Sequence, residues 1–377
     1  MVKDFAIIKK MVHSKIESQN VGWYGGEMDK KYIAYVSAYT HGKSKGIMIC
    51  DVDVEQGHFT PRSEIAINNP SYMVKANNGK YLYSICDEGL VAYRILENGN
   101  LGLINQGSIN GMRACYVTVD SKDEYIFCAG YHDGKATVVR IREDGGIGEV
   151  TDEVFHKGLG SVAERNFRPH ISCAVLTPDE KYMIVCDLGT DQVEVYRFNP
   201  VKGRVRLVDV IPCELESAPR TLVFSPDGKF AYLSHELKNY VAIYSYKDNG
   251  KVPEFELIDR VSTLGQDSYK ENSAAVAIKF SPDGKNLFVS NAGDNSVAIY
   301  DRDEGSGRLT MRSVLPVSGD YPKDIAIFPD GKHLVSMNHE TNEMTFFRID
   351  YEKGILVMHG KPEKVETPNC CIITELP

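Results

Sequence analysis

The feature that most constrains the fold is a unit that recurs seven times along the chain. In each unit an apolar stretch leads into a turn, and a strand with alternating apolar residues follows the turn. The turn reads Pro-Asp-Gly-Lys at 226–229, 282–285 and 329–332, and an altered copy stands at 178–181. The residues that follow the seven turns are 44 to 57 positions apart: Tyr32, Tyr81, Tyr125, Tyr182, Phe230, Asn286 and His333. This spacing is typical of a repeat architecture.

Each unit has the pattern of four short antiparallel strands. In the fifth unit, apolar runs predict strands at 221–225, 230–234 and 241–246, with a fourth near 255–261. In the turn, proline presets φ, aspartate caps the chain and glycine adopts the left-handed conformation, so Pro-Asp-Gly predicts a hairpin. A helical solenoid is excluded because no unit has a helical period. Seven units of four strands predict an all-β fold, a seven-bladed β-propeller with four-stranded antiparallel blades.

The two ends of the repeat predict how the ring closes. The first unit begins at its second strand, 32–38, and no innermost strand precedes it. The segment 368–374, Pro-Asn-Cys-Cys-Ile-Ile-Thr, has the character of the missing strand. We therefore expect the C-terminal strand to complete the first blade and to remove an exposed sheet edge.

The propeller domain is thus predicted over residues 31–377, and residues 1–30 are predicted to form an N-terminal extension. In the extension, Phe5, Ile8, Val12 and Ile16 have the spacing of a short amphipathic helix. The first twenty residues contain no apolar run of signal-peptide length, and the chain contains no stretch of about eighteen apolar residues. These features favour a cytoplasmic protein without a membrane span.

Charge and cysteine content limit the classes of partner. A net charge of -9 argues against general affinity for nucleic acid or anionic lipid. The nine cysteines include no CxxC pair, and an odd number without an export signal predicts free thiols in a reducing compartment. No cluster of residues has the spacing of a zinc site, so we expect neither metal nor cofactor. We expect a monomer or weak dimer.

Propeller geometry predicts where a site would lie. Residues before each innermost strand and after each second strand meet at one face, here called the near face, and the Pro-Asp-Gly-Lys turns lie at the opposite far face. Three arginines, a lysine and several histidines at the near face predict a locally positive site for a small anion. Alternatively, these groups satisfy one another and trapped water in a polar channel. The near-face candidates are Tyr39, Thr40, His41, Tyr72, Asp87, Glu88, Arg113, Tyr131, His132, Arg168, His170, Asp187, Arg220, His235, Glu236, Asn291, Lys323, Asn338, His339, Glu340 and Asn369.

Motifs in the central units carry a resemblance to a known family. They are Arg168-Pro169-His170, the segment 187–193 (Asp-Leu-Gly-Thr-Asp-Gln-Val), and Arg220 followed by Ser234-His235-Glu236. This pattern is similar to that of the lactonase family of seven-bladed propellers, which includes cycloisomerase-type 6-phosphogluconolactonases and carboxymuconate lactonising enzymes. The resemblance covers residues 31–377.

The resemblance implies hydrolysis of a small anionic sugar lactone, 6-phospho-D-glucono-1,5-lactone above all, at a site built on His170, Arg220 and Glu236. His170 is the expected general base, because an unperturbed histidine titrates near neutral pH. Arg220 would stabilise the oxyanion or grip a phosphate, and Glu236 would orient the histidine or activate water. The expected substrate-binding residues are Arg113, Arg168, His235, Asn291, Lys323 and His339.

Two departures from the family pattern bear on the substrate. The family's Ser-Asn-Arg-Gly is Ser-Asn-Ala-Gly at 290–293, so one anion-binding arginine is replaced by Ala292, and the usual Pro-Arg is Pro322-Lys323. Two alternatives to hydrolysis stay open. One is the reverse direction, in which a muconate-type lactonising cycloisomerase closes an unsaturated diacid to a lactone. The other is a non-catalytic propeller that binds a small anion or a protein, which the charged near face disfavours.

Overall fold

The apolar character of the second strand in each unit explains why the repeats become blades. In the computed structural model, which describes residues 30–161, 166–266, 268 and 272–376, every residue of the strands Tyr182–Asp187 and Phe230–His235 is buried. Neighbouring blades cover both faces of these strands, so apolar residues occupy successive positions. The outermost strands, such as Arg204–Pro212, carry exposed residues.

In the described part of the chain, 29 strands form seven antiparallel sheets, and no helix is present. The first four blades contain β1 (Tyr32–Ala38), β2 (Gly46–Asp53), β3 (His58–Ala66), β4 (Met73–Lys75), β5 (Tyr81–Cys86), β6 (Gly89–Ile95), β7 (Leu101–Gly107), β8 (Tyr116–Val119), β9 (Tyr125–Gly130), β10 (Lys135–Ile141), β11 (Ile147–Phe155), β12 (Ile171–Leu176), β13 (Tyr182–Asp187), β14 (Gln192–Asn199) and β15 (Arg204–Pro212).

The remaining strands complete the last three blades and return to the first. They are β16 (Pro219–Phe224), β17 (Phe230–His235), β18 (Tyr240–Asp248), β19 (Pro253–Ser262), β20 (Ala274–Phe280), β21 (Asn286–Ala292), β22 (Ser296–Arg302), β23 (Leu309–Pro316), β24 (Pro322–Ile327), β25 (His333–Asn338), β26 (Glu343–Asp350), β27 (Ile355–Met358), β28 (Glu363–Lys364) and β29 (Pro368–Glu375). The seven-bladed propeller predicted from the repeats is confirmed. The short strand β28 adds a fifth member to the seventh sheet, where it pairs with β26.

The C-terminal strand closes the ring as predicted. The first sheet has the order β29-β1-β2-β3, so the last strand of the chain is innermost in the first blade. β29 and β1 pair in antiparallel register from Tyr32 opposite Glu375 to Ala38 opposite Pro368. The first and last segments of the propeller therefore share one sheet, and the ring cannot open without breaking this pairing.

The far-face turns have the predicted conformation. Gly228, Gly284 and Gly331 have φ between 68° and 70°, and in the altered turn Glu180 adopts φ 55° where the other turns have glycine. The Ser281 hydroxyl donates to the Asp283 carboxylate at 2.6 Å. Because these turns satisfy their own polar groups, they have a structural role.

The apolar core is divided among the interfaces between blades. Tyrosines of the second strands pass through these interfaces and donate their hydroxyl hydrogen to a backbone carbonyl of the next blade. This arrangement places a large apolar ring between sheets while its polar end is satisfied. The pairs are Tyr35 with Gly99 at 2.9 Å, Tyr125 with Pro200 at 2.8 Å and Tyr232 with Gly307 at 2.8 Å.

Several predictions concern parts of the chain or properties that the fold does not decide. The proposed amphipathic helix lies within residues 1–29, outside the described residues. In the described ranges no helix is long and apolar enough to cross a membrane. All nine cysteines lie in these ranges as free thiols, seven of them buried. Cytoplasmic location and the monomeric or weakly dimeric state stay predictions.

Candidate active site

A cavity of about 490 Å³ opens at the near face, around the axis of the ring. Residues from all seven blades line it, because the innermost strand of every blade starts there. Its charged and aromatic lining residues are Tyr39, Tyr72, Arg113, Tyr116, Tyr131, His132, Arg220, Glu236, Lys279, Tyr321, Lys323 and Asp324. Concave polar sites of this size are typical of small-molecule binding.

Arg220 and Glu236 form an ion pair at the edge of the cavity. Arg220 lies at the start of β16, and Glu236 directly follows β17, so the hairpin brings the two side chains together. The guanidinium Nη1 of Arg220 donates to Oε2 of Glu236, which is buried. Burial lowers the pKa of Arg220, but the Glu236 carboxylate outweighs burial and the net pKa is raised. Arg220 therefore brings a fixed positive charge to the cavity.

Lys323 projects into the same cavity from β24 and contacts the first blade. Its Nζ lies 2.7 Å from Oδ1 of Asn369 and 3.4 Å from the Tyr39 hydroxyl. The same atom lies 4.4 Å from the centroid of the Tyr39 ring. Burial, followed by the charges of Arg220 and Arg113, lowers the pKa of Lys323 to about 7.

A second cation borders the Tyr39 ring. The Cζ atom of Arg113 lies 5.1 Å from the ring centroid, and Nη1 of Arg113 donates to Oδ1 of Asp87 at 2.9 Å. His132 lies near Arg113 and keeps a large part of its surface exposed. The part that is buried, together with the charge of Arg113, lowers the pKa of His132. Arginine, lysine and tyrosine side chains thus approach one another across three blades.

Sequence reasoning missed several residues that line the cavity, among them Lys279, Tyr116 and Asp324. The Nζ of Lys279 lies 3.3 Å from Oδ1 of Asp324, whose Oδ2 accepts the backbone N–H of Cys371 at 3.0 Å. The rings of Tyr72 and Tyr116 pack with centroids 4.6 Å apart. A signal was available, since a charged residue inside an apolar innermost strand must face the channel.

The structure places His170 beneath the cavity wall, and His170 is not among the described residues that line the cavity. Its ring stacks on Tyr131 with centroids 4.2 Å apart, and Nδ1 lies 2.7 Å from the Tyr131 carbonyl oxygen. The backbone N–H of His170 donates to Oδ1 of Asp187 at 2.8 Å. The histidine is 4% exposed. Its role as general base stays a prediction.

The predicted residues His235 and Asn291 are buried and are not among the described residues that line the cavity. Nδ1 of His235 lies 2.9 Å from Oγ of Ser217, and burial, with the charge of Arg260, lowers the pKa of His235 to about 3. Nδ2 of Asn291 donates to the Thr263 carbonyl at 2.7 Å. Their roles in substrate binding stay predictions.

The other two predicted substrate-binding residues, Arg168 and His339, are not among the described residues that line the cavity. Arg168 is exposed, and its Nη1 donates to the His132 carbonyl at 3.3 Å. Nδ1 of His339 lies 3.1 Å from the Pro368 carbonyl oxygen, and burial, with the charge of Lys323, lowers its pKa. Of the nine predicted site residues, those that line the cavity are Arg113, Arg220, Glu236 and Lys323.

The position of the missing arginine is apolar. Ala292 is fully buried and packs against Ala274 and Val276, with Tyr321 beside them. Tyr321 has φ 59° and lines the cavity. Around the position of the missing arginine the cavity therefore presents an aromatic ring over small apolar residues, and the sixth blade contributes its cation at Lys279 instead.

The fold and this cationic cavity define a β-propeller with a small-molecule site, and comparison with known proteins identifies the family. Residues 33–373 match the family described as "Lactonase, 7-bladed beta-propeller". The chain is 33% identical over 353 residues to the 6-phosphogluconolactonase of Bacillus subtilis, with 90% of this chain and 97% of the relative covered. The chain belongs to the lactonase family of seven-bladed β-propellers. The resemblance found in the sequence is therefore confirmed.

Other relatives and solved structures agree with this assignment. A 6-phosphogluconolactonase of Formosa agariphila is 29% identical over 336 residues, covering 85% of this chain and 94% of the relative. The periplasmic gluconolactonase of Pseudomonas aeruginosa superposes with a TM-score of 0.86 at 27% identity, covering 92% of this chain and all of that one. A crystal structure of a protein from Lactobacillus plantarum gives a TM-score of 0.83 at 32% identity, with the same coverage. The family and these relatives support a hydrolase that acts on lactones.

Proposed function

We propose that the protein hydrolyses 6-phospho-D-glucono-1,5-lactone to 6-phosphogluconate. The observation that carries this proposal is the cavity at the near face, where Arg220, Arg113 and Lys323 converge. A lactone that bears a phosphate needs one donor at its reacting carbonyl and further cations at its phosphate. The names of the Bacillus and Formosa relatives support the choice of this lactone.

Arg220 is the candidate donor for the oxyanion. Ring opening begins when water attacks the lactone carbonyl, and negative charge develops on the carbonyl oxygen. Glu236 holds the guanidinium by its ion pair, so the remaining N–H groups of Arg220 are oriented before the substrate arrives. A donor held in this way stabilises the developing charge without reorganising.

The phosphate is expected near Arg113, on the side of the Tyr39 ring. Arg113 is bound to Asp87 through Nη1, and its guanidinium offers several more donors. The Tyr72 and Tyr116 rings also line the cavity, and they suit the apolar face of a sugar ring. We expect the phosphate to add binding energy at this end of the cavity, away from the reacting carbonyl.

The experiment is a hydrolysis assay on freshly generated 6-phosphogluconolactone, with the spontaneous rate subtracted at each pH. We expect acceleration that is proportional to enzyme concentration, and a KM for unphosphorylated glucono-1,5-lactone that is higher by about tenfold or more. Equal kcat/KM for the two lactones would overturn the phosphorylated substrate but retain a lactonase. No acceleration of either lactone at high enzyme concentration would overturn the function.

A further inference from the structure

We propose that Lys323 is a catalytic residue whose neutral amine accepts a proton from the water that attacks the lactone carbonyl. This inference rests on the proposed lactonase function and assigns the general base to a residue that lines the cavity, whereas the predicted base His170 is not among the described lining residues. It differs from the anchoring role expected from the sequence, in which Lys323 only holds the anionic end of the substrate.

The first argument is the absence of a carboxylate partner at Lys323. Three other cations among the described lining residues are ion-paired, Arg113 with Asp87, Arg220 with Glu236 and Lys279 with Asp324. In the described part of the chain, no carboxylate lies within ion-pair distance of Lys323. Its close contacts are neutral: Oδ1 of Asn369 at 2.7 Å and the Tyr39 hydroxyl at 3.4 Å. The Tyr39 ring, with its centroid 4.4 Å from Nζ, favours the ammonium form, but among the described residues no formal negative charge in this shell holds the proton on the amine.

The second argument is the charge around the amine. Burial and the charges of Arg220 and Arg113 lower the pKa of Lys323 to about 7, so a large fraction of the amine is neutral near neutral pH. Cys115 and Glu340 act in the opposite direction and are weaker. The titratable and charged groups that face Lys323 come from blades one, three, five and seven: Tyr39, Arg113, Cys115, Arg220, Tyr321, His339 and Glu340.

The third argument is that the other candidate bases are engaged or lie at the edge. The carboxylate of Glu236 is paired with Arg220. The ring of His170 is stacked on Tyr131, with Nδ1 at a carbonyl oxygen. His132 is exposed at the edge of the cavity, where bulk water surrounds it. Lys323 combines a place in the cavity lining with a neutral form near neutral pH.

The proposed step conserves atoms and charge. The lone pair of Nζ takes a proton from water while the water oxygen bonds to the carbonyl carbon, and the carbonyl π electrons move to the oxygen that faces Arg220. When the tetrahedral intermediate collapses, the bond from this carbon to the ring oxygen breaks, and the ring oxygen takes the proton from the Lys323 ammonium. The carboxylic acid product releases its proton to solvent. Lactone and water are consumed, and no other reactant is needed.

The experiment compares Lys323→Arg with Lys323→Met in the full-length protein, with 6-phosphogluconolactone as the probe between about pH 5 and pH 8. Arginine keeps the positive charge but does not accept a proton in this range. We expect Lys323→Arg to lower kcat by about 100-fold or more, to change KM by less than about threefold, and to abolish the rise of kcat with pH near pH 7. Lys323→Met should lower kcat by the same factor. Lys229→Arg, in a far-face turn, is the matched control and should leave both constants unchanged.

A second readout does not depend on activity. Brief labelling with acetic anhydride at a series of pH values, followed by peptide mass spectrometry, measures when each lysine becomes a neutral nucleophile. We expect Lys323 to label half-maximally near pH 7, well below the ordinary lysine value of about 10.4. An ordinary labelling profile at Lys323 would overturn the proposal.

The kinetic outcomes distinguish a failure of the assignment of Lys323 as the base from a failure of the proposed lactonase function. If the wild-type protein accelerates hydrolysis and Lys323→Arg keeps its kcat and its pH profile, Lys323 is an anchor and the base assignment is wrong. If His170→Gln abolishes the rise near pH 7 while Lys323→Arg keeps it, His170 is the base. If the wild-type protein accelerates no lactone, the proposed function itself fails.

Discussion

The two faces of the ring are built from equivalent positions of the same repeat, and yet they differ in kind. At the far face the turns repeat one chemistry, with a hydroxyl bonded to an aspartate, as in Ser225 with Asp227 and Ser281 with Asp283. At the near face the surroundings of the charged groups differ from blade to blade. Arg113, Arg220, Lys279 and Lys323 have different neighbours and different partners.

This difference separates groups that stabilise from groups that bind. In the far-face turns a hydroxyl and an aspartate bond within one turn, and turns of neighbouring blades also contact each other, as Ser121 N–H donates to Glu180. Several near-face contacts cross between blades, as Lys323 reaches Asn369 of the closing strand and Lys279 reaches Asp324. The site therefore depends on the closed ring. In this fold, the features that repeat from blade to blade are structural, and the positions that differ between blades form the candidate site.

The largest effect is expected when the closing strand is removed. Deletion of the chain from Pro368 onward takes away β29, the partner of β1, and leaves a buried sheet edge unpaired. We expect a loss of stability comparable to the whole free energy of unfolding, about 5 kcal/mol or more, with little soluble protein. Differential scanning calorimetry measures it. A synthetic peptide spanning residues 367–376 is the control and should partly restore the transition, whereas an unchanged Tm would contradict the role of closure.

The next largest effect is expected at the near face. Arg220→Gln should lower kcat/KM by about 100-fold to 1,000-fold, because a donor to the oxyanion is lost. It should also destabilise the fold by roughly 2 kcal/mol, because the buried Glu236 loses its ion pair with Arg220. Adding Glu236→Gln should recover stability but not activity, in steady-state kinetics and thermal unfolding. Arg206→Gln, on the exposed side of β15, is the control; unchanged kcat/KM in Arg220→Gln would refute the assignment.

A far-face substitution should change stability without changing activity. Gly284 has φ 70°, and a Cβ at this position would lie 2.6 Å from Cγ of Pro226. We expect Gly284→Ala to lower the free energy of unfolding by about 1–2 kcal/mol, with kcat and KM unchanged. Gly305→Ala is the matched control, because its Cβ would meet nothing closer than 3.6 Å. A loss of activity in a folded Gly284→Ala protein would contradict the assignment of stability to the far face and activity to the near face.

The smallest effect expected is a gain in stability at the near face. Because the pKa of Lys323 is lowered in the folded protein to about 7, the unfolded chain binds more protons between pH 7 and about pH 10. The lysine therefore destabilises the fold most below pH 7, and this cost fades as the pH rises. Lys323→Met should add on the order of 1 kcal/mol at pH 6, since cavity water screens the charge, and less at pH 9. Urea unfolding at both pH values, with Lys229→Met as control, measures it. An equal gain at both pH values would contradict the lowered pKa.

The fold could be predicted closely because its determinants are local. In the fifth blade, the strand bounds predicted from apolar runs agree with β16–β19 within two residues at each end. The C-terminal closure followed from counting, since a first unit without its innermost strand needs one from elsewhere. Turn chemistry and strand periodicity act over a few residues, so the sequence carries them directly.

The candidate site was predicted only in part. Arg113, Arg220, Glu236 and Lys323 were found because they directly precede innermost strands or follow second strands. Lys279 and Asp324 were missed, because their strands read as ordinary apolar strands with one charged residue. Residues such as His170 and His235 were expected at the cavity, but each ring stacks on a neighbouring tyrosine, Tyr131 or Tyr240, at 4.2 Å.

By itself, then, the sequence determined the number of blades, the place of closure, the structural role of the far-face turns and the kinship with lactonases. These properties rest on short-range patterns that recur along the chain. Only the tertiary structure decided which near-face side chains enter the cavity, and which lysine there has no carboxylate within ion-pair distance among the described residues. Side-chain direction and the electrostatic environment of Lys323 depend on groups from distant parts of the chain, such as Asn369, Arg113 and Arg220, which meet only when the ring closes.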